Sequence, residues 1–518
     1  MSAHASAAAT SERAAAAPPA PAGRGDGPKA VAVTLYKAFS GLLIPVAREL
    51  ARRHGTAAHF YVRTETERQG FQHLLEDGTA ASLTVIPGLR DPSEYDGASD
   101  EAVIREAREY ERRIGRPLMR LTFTHRFLGR GFNVGGYNFP RSVAFNRDVD
   151  DVEQMRYYCK LLRFWETELT SKGVEWTIQL PLEGIVVGQM LGLPHRRLDA
   201  SRFATYWLWT DDEFHRNASV VARYKEGVSE RVSLDQAYSG FGSASFFGKV
   251  HSLNILRKMA RYTAIWLRRR LVQDMSLTIR YWDNIRVQVS EVRTRRRLRA
   301  RYYHRVADLD GRDVFYIPLH KEPETGLQMM SPEFFHQHAI ILGIAASLPA
   351  GAVLAIKENN KTIGRRHFSF YEQVADLKNV RFIDDREPSI DLIRRARATI
   401  TVTGTAGLEA AAQGKPVLTF GRHNMYNHLP HVIEITDFAD IPAAIDRVMS
   451  GAFDEEDCRA EAERYLGAVK EWSFDADGVW VAGAFQEEAA VRKGVDKDAV
   501  DLLERSLPTR AQRQVQDR

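Results

Sequence analysis

Short apolar runs alternate with longer stretches of helical spacing along this chain, in two blocks separated by a basic segment. Val31-Ala32-Val33-Thr34-Leu35 has the continuous apolar character of a strand covered on both faces. It leads through Ser40-Gly41 into LLIPVARELARRHG, whose apolar positions share one helical face and which ends at Gly55, a natural C-cap. Ala58-His59-Phe60-Tyr61-Val62 reads as the next strand, and strand, helix, strand in this order predicts a βαβ unit within a parallel sheet. Further on, GVEWTIQL predicts a strand and EGIVVGQMLGL a helix, followed by a loop and strand passage towards Arg202. Between them HRFLGRGFNVGGYNFPR, residues 125–141, is glycine-rich, aromatic and basic with no period, as expected of a long functional loop.

The second block repeats the alternation more densely. DVFYIPL, AVLAIK, NVRFID, ATITVT and KPVLTFG predict strands, and EFFHQHAIILGIAASLP, RRHFSFYEQVADLK, SIDLIRRAR and GLEAAAQG predict the helices between them. The fold class expected is α/β, a pair of Rossmann-like lobes with a basic helical connector and a helical C-terminal extension. The boundaries read as a disordered leader at 1–29, a first lobe at 30–240, the connector at 241–310, a second lobe at 311–450, and the extension and tail at 451–518. Two such lobes place a ligand in the cleft between them.

Composition narrows this picture. A chain of 518 residues exceeds one ordinary core, which agrees with two domains. The two cysteines, Cys159 and Cys458, have neither disulfide-framework nor zinc-ligand spacing, which fits a reducing cytoplasm. The N-terminal stretch is rich in Ala, Pro and Gly, and Ser11-Glu12-Arg13 breaks its alanine run, so it lacks the apolar centre of a secretory signal. No segment reaches the roughly 18 apolar residues that a membrane span needs.

Charge is distributed unevenly. From Lys249 to Arg305 there are sixteen Lys and Arg against Asp274, Asp283 and Glu291, more than the whole net excess of +5. Ile255, Met259, Tyr262, Ile265 and Trp266 recur there at helical spacing, so the basic residues are expected along one side of amphipathic helices. Such a block serves either as a solvated connector or as a surface attracted to anionic lipid or a polyanionic glycan. No nucleic-acid module accompanies it, so nucleic acid is not an expected partner.

The most informative stretch is TGTAGLEAAAQGKPVLTFG, residues 403–421. It follows the β-branched run Thr399-Ile400-Thr401-Val402, at the carboxyl end of a predicted parallel strand, where ligands gather in such sheets. Its glycines Gly404 and Gly407 allow close backbone approach, Thr403 and Thr405 bring hydroxyls, and the helix that follows points its amide hydrogens at a site suited to phosphate. Glu409 is either an acid favoured by the helix dipole or an acceptor for ribose or sugar hydroxyls. Lys357, Arg365 and Arg366 are the cations nearest in pattern. The acid pairs Asp211-Asp212 and Asp384-Asp385 sit in turn-like contexts and are assigned to capping and solvated loops, with no metal expected.

The motifs VFYIPLHKEPET, SLPAGAVLAIKE and KNVRFID, with RARATITVTGTAGLEAAAQGKPVLTFG, resemble the capsule polysaccharide biosynthesis family over about Val314 to Val432. That family contains GT-B-like glycosyltransferases, among them the Kdo transferases of capsule linkers. The resemblance implies a GT-B-like, metal-independent sugar transferase of surface polysaccharide biosynthesis and export. Its partners would be a nucleotide-sugar donor and a glycan or glycolipid acceptor, with no bound cofactor. It would work in the cytoplasm, at the inner membrane face or beside the export machinery. The family's P-L-H-x-x-P-E pattern falls on Pro318, Leu319, His320, Pro323 and Glu324. Its Lys-Glu pair falls on Lys357 and Glu358, and its glycine-rich loop on Thr403, Gly404, Thr405, Gly407 and Glu409. Where many relatives continue Lys-Glu with His-Pro, this chain has Asn359-Asn360, which can donate a hydrogen bond but carries no charge. His320 is a candidate for proton transfer or sugar positioning, and Glu183 and His125 are candidates for the base of the first lobe. Two other functions fit the same residues: a nucleotide-sugar 2-epimerase-like isomerase, and a non-catalytic polysaccharide export component.

Overall fold

Each buried apolar run becomes a strand. The computed structural model describes residues 27–88, 97–125, 133–134, 137–138, 150–227, 230–233, 252–271, 279–322, 324–360 and 362–507. Strand β1 (Ala30–Thr34) is buried along its length and pairs in parallel with β2 (Ala57–Val62), Val31 beside Ala58. Helix α1 (Ser40–His54) joins them and stops at Gly55, whose φ of 68° is left-handed and whose amide donates to the Ala51 carbonyl. Strand β3 (Ser82–Val85) extends the sheet beside β2, and β4 (Trp176–Ile178) pairs with the other side of β1. Helix α2 (Leu182–Met190) carries the chain to β5 (His195–Ala200), which turns back as the antiparallel β6 (Tyr206–Thr210).

Two long helices come next, α3 (Ser252–Leu271) and α4 (Tyr281–Arg301), as the apolar spacing of the basic block predicts. The second sheet is parallel throughout. Its strands are β7 (Tyr303–His304), β8 (Asp313–Pro318), β9 (Ala352–Lys357), β10 (Val380–Ile383), β11 (Ala398–Thr401), β12 (Val417–Thr419) and β13 (Val432–Glu434), in the order β13-β12-β11-β8-β9-β10-β7. Helix α5 (Thr405–Ala412) connects β11 to β12.

The chain then returns to the first lobe. Helix α6 (Glu455–Glu471) crosses over, β14 (Phe474–Asp475) pairs antiparallel with β6, and α7 (Val495–Ser506) packs with α1. The first sheet therefore reads β14-β6-β5-β4-β1-β2-β3. Leu502 and Leu503 of α7 share a core with Val31, Val33 and Phe60. The extension from 451 is thus part of the first lobe's core, and it contributes a strand as well as helices.

Three features differ from the sequence-based expectation. The second sheet takes an edge strand from Tyr303–His304, inside the stretch 241–310 assigned to the connector. α4 also belongs to that lobe: Leu298 is in its core, and Arg295 and Arg299 pair with the buried Asp385, Arg299 at 3.1 Å. Asp385 is therefore a buried anchor rather than a solvated loop residue, because two guanidinium groups satisfy its carboxylate where water cannot reach. The leader lies outside the described residues up to residue 26, as does most of 125–141, where Asn133–Val134 and Tyr137–Asn138 pair as a short hairpin.

The lobes share an apolar cluster. Phe203, Leu208 and Val220 of the first meet Val314, Tyr316, Leu408 and Tyr426 of the second, together with Tyr465 of α6. Ring contacts add Phe214 on His423, centroids 4.1 Å apart, and Phe123 against Phe335 at 5.5 Å. These contacts set the carboxyl end of β5 against that of β11.

Candidate functional site

The site grows from the carboxyl ends of β8, β9 and β11. Where β8 ends, buried His320 turns its ring across to the neighbouring strand. The Val402 amide donates to His320 Nε2 at 3.1 Å, and Thr401 Oγ1 lies 3.2 Å from the same nitrogen. Burial, with the nearby Arg202 charge, pushes the imidazole down to about 4, so it is neutral and Nε2 is an acceptor. The lone pair that a proton-transfer role needs is thereby used by the backbone. His320 positions the turn after β11.

That turn is shaped by its own neighbours. Gly404 donates to Thr401 Oγ1 at 3.0 Å, and a Cβ on Gly404 would come within 2.8 Å of His320 Cε1. A Cβ on Gly407 would meet Tyr426 Oη at 2.4 Å and Thr401 Cγ2 at 2.7 Å. Tyr426 Oη also donates to the Gly404 carbonyl at 3.3 Å. The sequence pattern reads these glycines as room for a ligand, but the room is taken by His320 and Tyr426. They let α5 start hard against His320, just past the end of β8.

Behind the turn lies a closed polar network. Arg366 Nε donates to Glu358 at 2.9 Å, Nη1 to Glu322 at 3.2 Å and Nη2 to the His320 carbonyl at 2.8 Å, with the guanidinium 4.8 Å over Phe370. Glu358 also accepts from Tyr371 and Thr362, each at 2.8 Å, and from the Asn359 amide at 2.9 Å. Gln337 donates its amide nitrogen to Glu322 and its carbonyl oxygen accepts from the His320 N–H at 2.7 Å. Apart from half-buried Phe370, these side chains are buried. Burial pushes Glu322 up to about 8 and Glu358 up to about 7, and lowers Arg366 only to about 10, so the guanidinium stays charged. Glu358 and Arg366, both read from sequence as donor-binding, hold the site's frame. Glu322 is the acid that pattern matching passes over; the motif's Glu324 is half-buried and precedes the helix Thr325–Met330.

Facing the turn are groups of a different kind. Gly404 takes the N-cap position of α5 without a side-chain cap, Thr403 is half-buried and Thr405 is exposed. Lys357, buried at the end of β9, donates to Ser389 Oγ at 3.0 Å, and burial pushes it down to about 8 against the pull of Glu387, Asp384 and Glu409. Half-buried Glu409 is raised by burial, and the charges of Arg202 and Lys357 both oppose that shift. Arg202 comes from the first lobe, in the turn between β5 and β6. It is exposed and has φ of 63°, a left-handed conformation unusual for a residue with a side chain. It is a candidate for the site that the sequence reading did not nominate. The one available sign was a lone arginine in the turn after a strand of the first block.

The remaining nominated residues scatter. Glu183 lies in the first turn of α2, just past the carboxyl end of β4, raised by burial and within electrostatic reach of Tyr36. His125 closes a short turn on Thr122 beside Phe123, whose carbonyl accepts from Gln328 of the second lobe at 2.6 Å. Arg365 gives its carbonyl to the Asn138 amide at 2.5 Å. A cavity of about 650 Å³ opens elsewhere, between α4 and residues 366–369, with Trp282, Arg286, Arg293 and Arg297 on its wall. Of the nominated residues only Arg366 lines it, so it is separate from the turn at Gly404.

Residues 291–429 match the family described as capsule polysaccharide biosynthesis protein, a little over a quarter of the chain. The match takes in the C-terminal half of α4 and the larger part of the second lobe. No curated protein matches the sequence. Among solved structures the chain is similar to the β-Kdo 2,7 transferase of KpsC from Thermosulfurimonas dismutans, at 14% identity over 65% of this chain and 89% of that one, TM-score 0.32. It is also similar to a putative UDP-N-acetylglucosamine 2-epimerase from Listeria monocytogenes, at 8% identity over 85% and 93%, TM-score 0.27. A third is the glycosyltransferase VinC in complex with dTDP, at 11% identity over 91% and 99%, TM-score 0.26.

Two outcomes test the frame. Gly407→Ala in a helix ordinarily gains up to about 1 kcal/mol; here the clash with Tyr426 and Thr401 should reverse the sign, costing about 1–3 kcal/mol in urea unfolding. Tyr426→Phe in the same chain should recover part of that loss. The second outcome concerns Glu322, raised from 4.5 to about 8. The folded state holds this proton where the unfolded chain has lost it, so the contribution is complete below about pH 4.5 and is lost as pH rises through about 8. Glu322→Gln should flatten that part of the stability profile, and equal slopes in both proteins would show Glu322 ionised in the fold.

Proposed function

We propose that the protein transfers a sugar from a nucleotide-sugar donor to a glycan or glycolipid acceptor of the capsule, in the cytoplasm. The observation that carries this reading is that Glu409, one turn into a helix α5 that has no side-chain cap, lies within electrostatic reach of Lys357 and of a first-lobe arginine, Arg202. The amide hydrogens of the first turn and the two cations suit a leaving phosphate, which gains negative charge as the glycosidic bond breaks. In this reading they do so without a metal. Glu409, shielded but beside two cations, accepts from sugar or ribose hydroxyls. Glu183, its carboxyl raised by burial in the first lobe, is the residue we assign to deprotonating the acceptor.

A thermal-shift screen against CMP, UDP, GDP and their sugar conjugates tests the reading, since a ligand bound by the folded state raises the unfolding temperature with its affinity. One nucleotide family should stand out. Arg202→Ala and Glu409→Ala should weaken it about tenfold or more, and an unchanged response in both variants would remove the site from α5. Glu183→Gln should leave that response in place and slow transfer by about 10²–10⁴-fold. Epimer formation from a UDP-N-acetylhexosamine without acceptor would replace transfer by isomerisation.

A further inference from the structure

Helix α3 holds six Lys and Arg (Arg257, Lys258, Arg261, Arg268, Arg269 and Arg270) and no acid in twenty residues. At 100° per residue, Leu256, Ala260, Ala264, Leu267 and Leu271 fall on one stripe, and all five are exposed. Leu256 is 68% exposed, Leu267 50% and Leu271 84%. Arg257, Arg261 and Arg268, also exposed, form a row along the edge of this stripe. The face that meets protein is a different one: Trp266 packs on Tyr281 of α4 with centroids 5.4 Å apart, and Thr263 Oγ1 lies 3.2 Å from the Tyr281 hydroxyl. Of the twelve large hydrophobic residues exposed among the described residues, five are on α3, and three of these, Leu256, Leu267 and Leu271, lie in this stripe. Isolated exposed leucines need no explanation, but a continuous apolar stripe beside a row of cations does.

We propose that α3 lies flat on an anionic lipid bilayer, with Leu256, Leu267 and Leu271 at the boundary of headgroups and acyl chains and Arg257, Arg261 and Arg268 on the lipid phosphates. Charge selects this occupant. A second copy docking through the same stripe would set six cations against six. A soluble polyanion would meet the arginines but leave the leucines in water, whereas a bilayer surface satisfies both rows at once. The helix is about 30 Å long at 1.5 Å per residue, and no helix among the described residues is long and apolar enough to cross a membrane, so its place is in the plane of the surface. This proposal stands apart from the donor site.

Flotation of the full-length protein with vesicles separates the outcomes. It should rise with phosphatidylcholine vesicles that contain phosphatidylglycerol, stay behind with phosphatidylcholine alone, and bind less as salt is raised. Leu256→Glu with Leu267→Glu should weaken binding about tenfold or more, while the unfolding midpoint and the nucleotide response stay as in the parent. Arg257→Gln, Arg261→Gln and Arg268→Gln together should remove most of the salt dependence. The proposal is overturned by absence of binding to anionic vesicles or by leucine variants that bind as well as the parent. Light scattering that shows a dimer dissolved by the leucine substitutions would overturn it too, because the stripe would then be an interface between copies.

Discussion

Arg366 ties the carboxyl edge of the second sheet together. Its guanidinium reaches Glu358 at the end of β9, and Glu322 and the His320 carbonyl past the end of β8, and it lies on the Phe370 ring. A buried ion is tolerated only when its partners replace the water it has lost; removing one member of such a set costs about 3–5 kcal/mol. The geometry downstream depends on this anchor. With its carbonyl held by Arg366 and its N–H by Gln337, His320 has one orientation, from which Nε2 accepts the Val402 amide. That bond sets the path of the chain after β11, the path brings Gly404 against the imidazole, and α5 begins where it does. The amide hydrogens at the start of α5 are thus positioned by a network that lies behind the turn.

The same network explains where the sequence pattern was legible and where it was not. Strands buried on both faces, such as AVLAIK and ATIT, stand out as apolar runs because nothing but the core decides their composition. Helix starts are harder. The run from Glu333 predicts one helix, yet the chain makes a short 3₁₀ turn at Pro332–Phe334 and a helix only from Gln337, whose side chain bridges His320 and Glu322. Likewise the helix predicted from Arg365 begins at Phe368, because Arg366 is drawn into the core and Gly364, at φ 83°, is pressed against the backbone of Glu291. In both places a tertiary bond outweighs local propensity. For the site, the turn at 403–409 and Lys357 could be found from one dimension. The roles of Glu358, Arg366 and the two glycines could not, since each depends on a partner many residues away.

The lobes are joined by more than a connector. The chain passes from first to second through α3 and α4, returns through α6, and completes the first sheet with β14 and its core with α7. Tyr465 of α6 sits in the cluster shared by Phe203 and Leu208 on one side and Val314 and Leu408 on the other. Parting the lobes would expose this cluster to water, and apolar area exposed costs about 25 cal/mol per Å². The arrangement therefore fixes the turn of Arg202 opposite α5 instead of leaving their meeting to a flexible hinge.

Arg202 lies at that fixed meeting, in a strained turn. A left-handed backbone at a residue with a side chain is uncommon and costs of order 1–2 kcal/mol, and it persists only where the surroundings impose it. Here they do: Phe203 is buried in the shared cluster, and Ser201 Oγ accepts the Phe203 amide at 3.1 Å and donates to the Tyr206 carbonyl at 2.7 Å. Packing alone would be served better by glycine or asparagine at this position. Arginine adds a charge that is felt at Glu409 and His320 across the lobe boundary. The strained turn, which also holds Ala204 at φ 43°, thus brings a first-lobe charge within electrostatic reach of Glu409, one turn into α5.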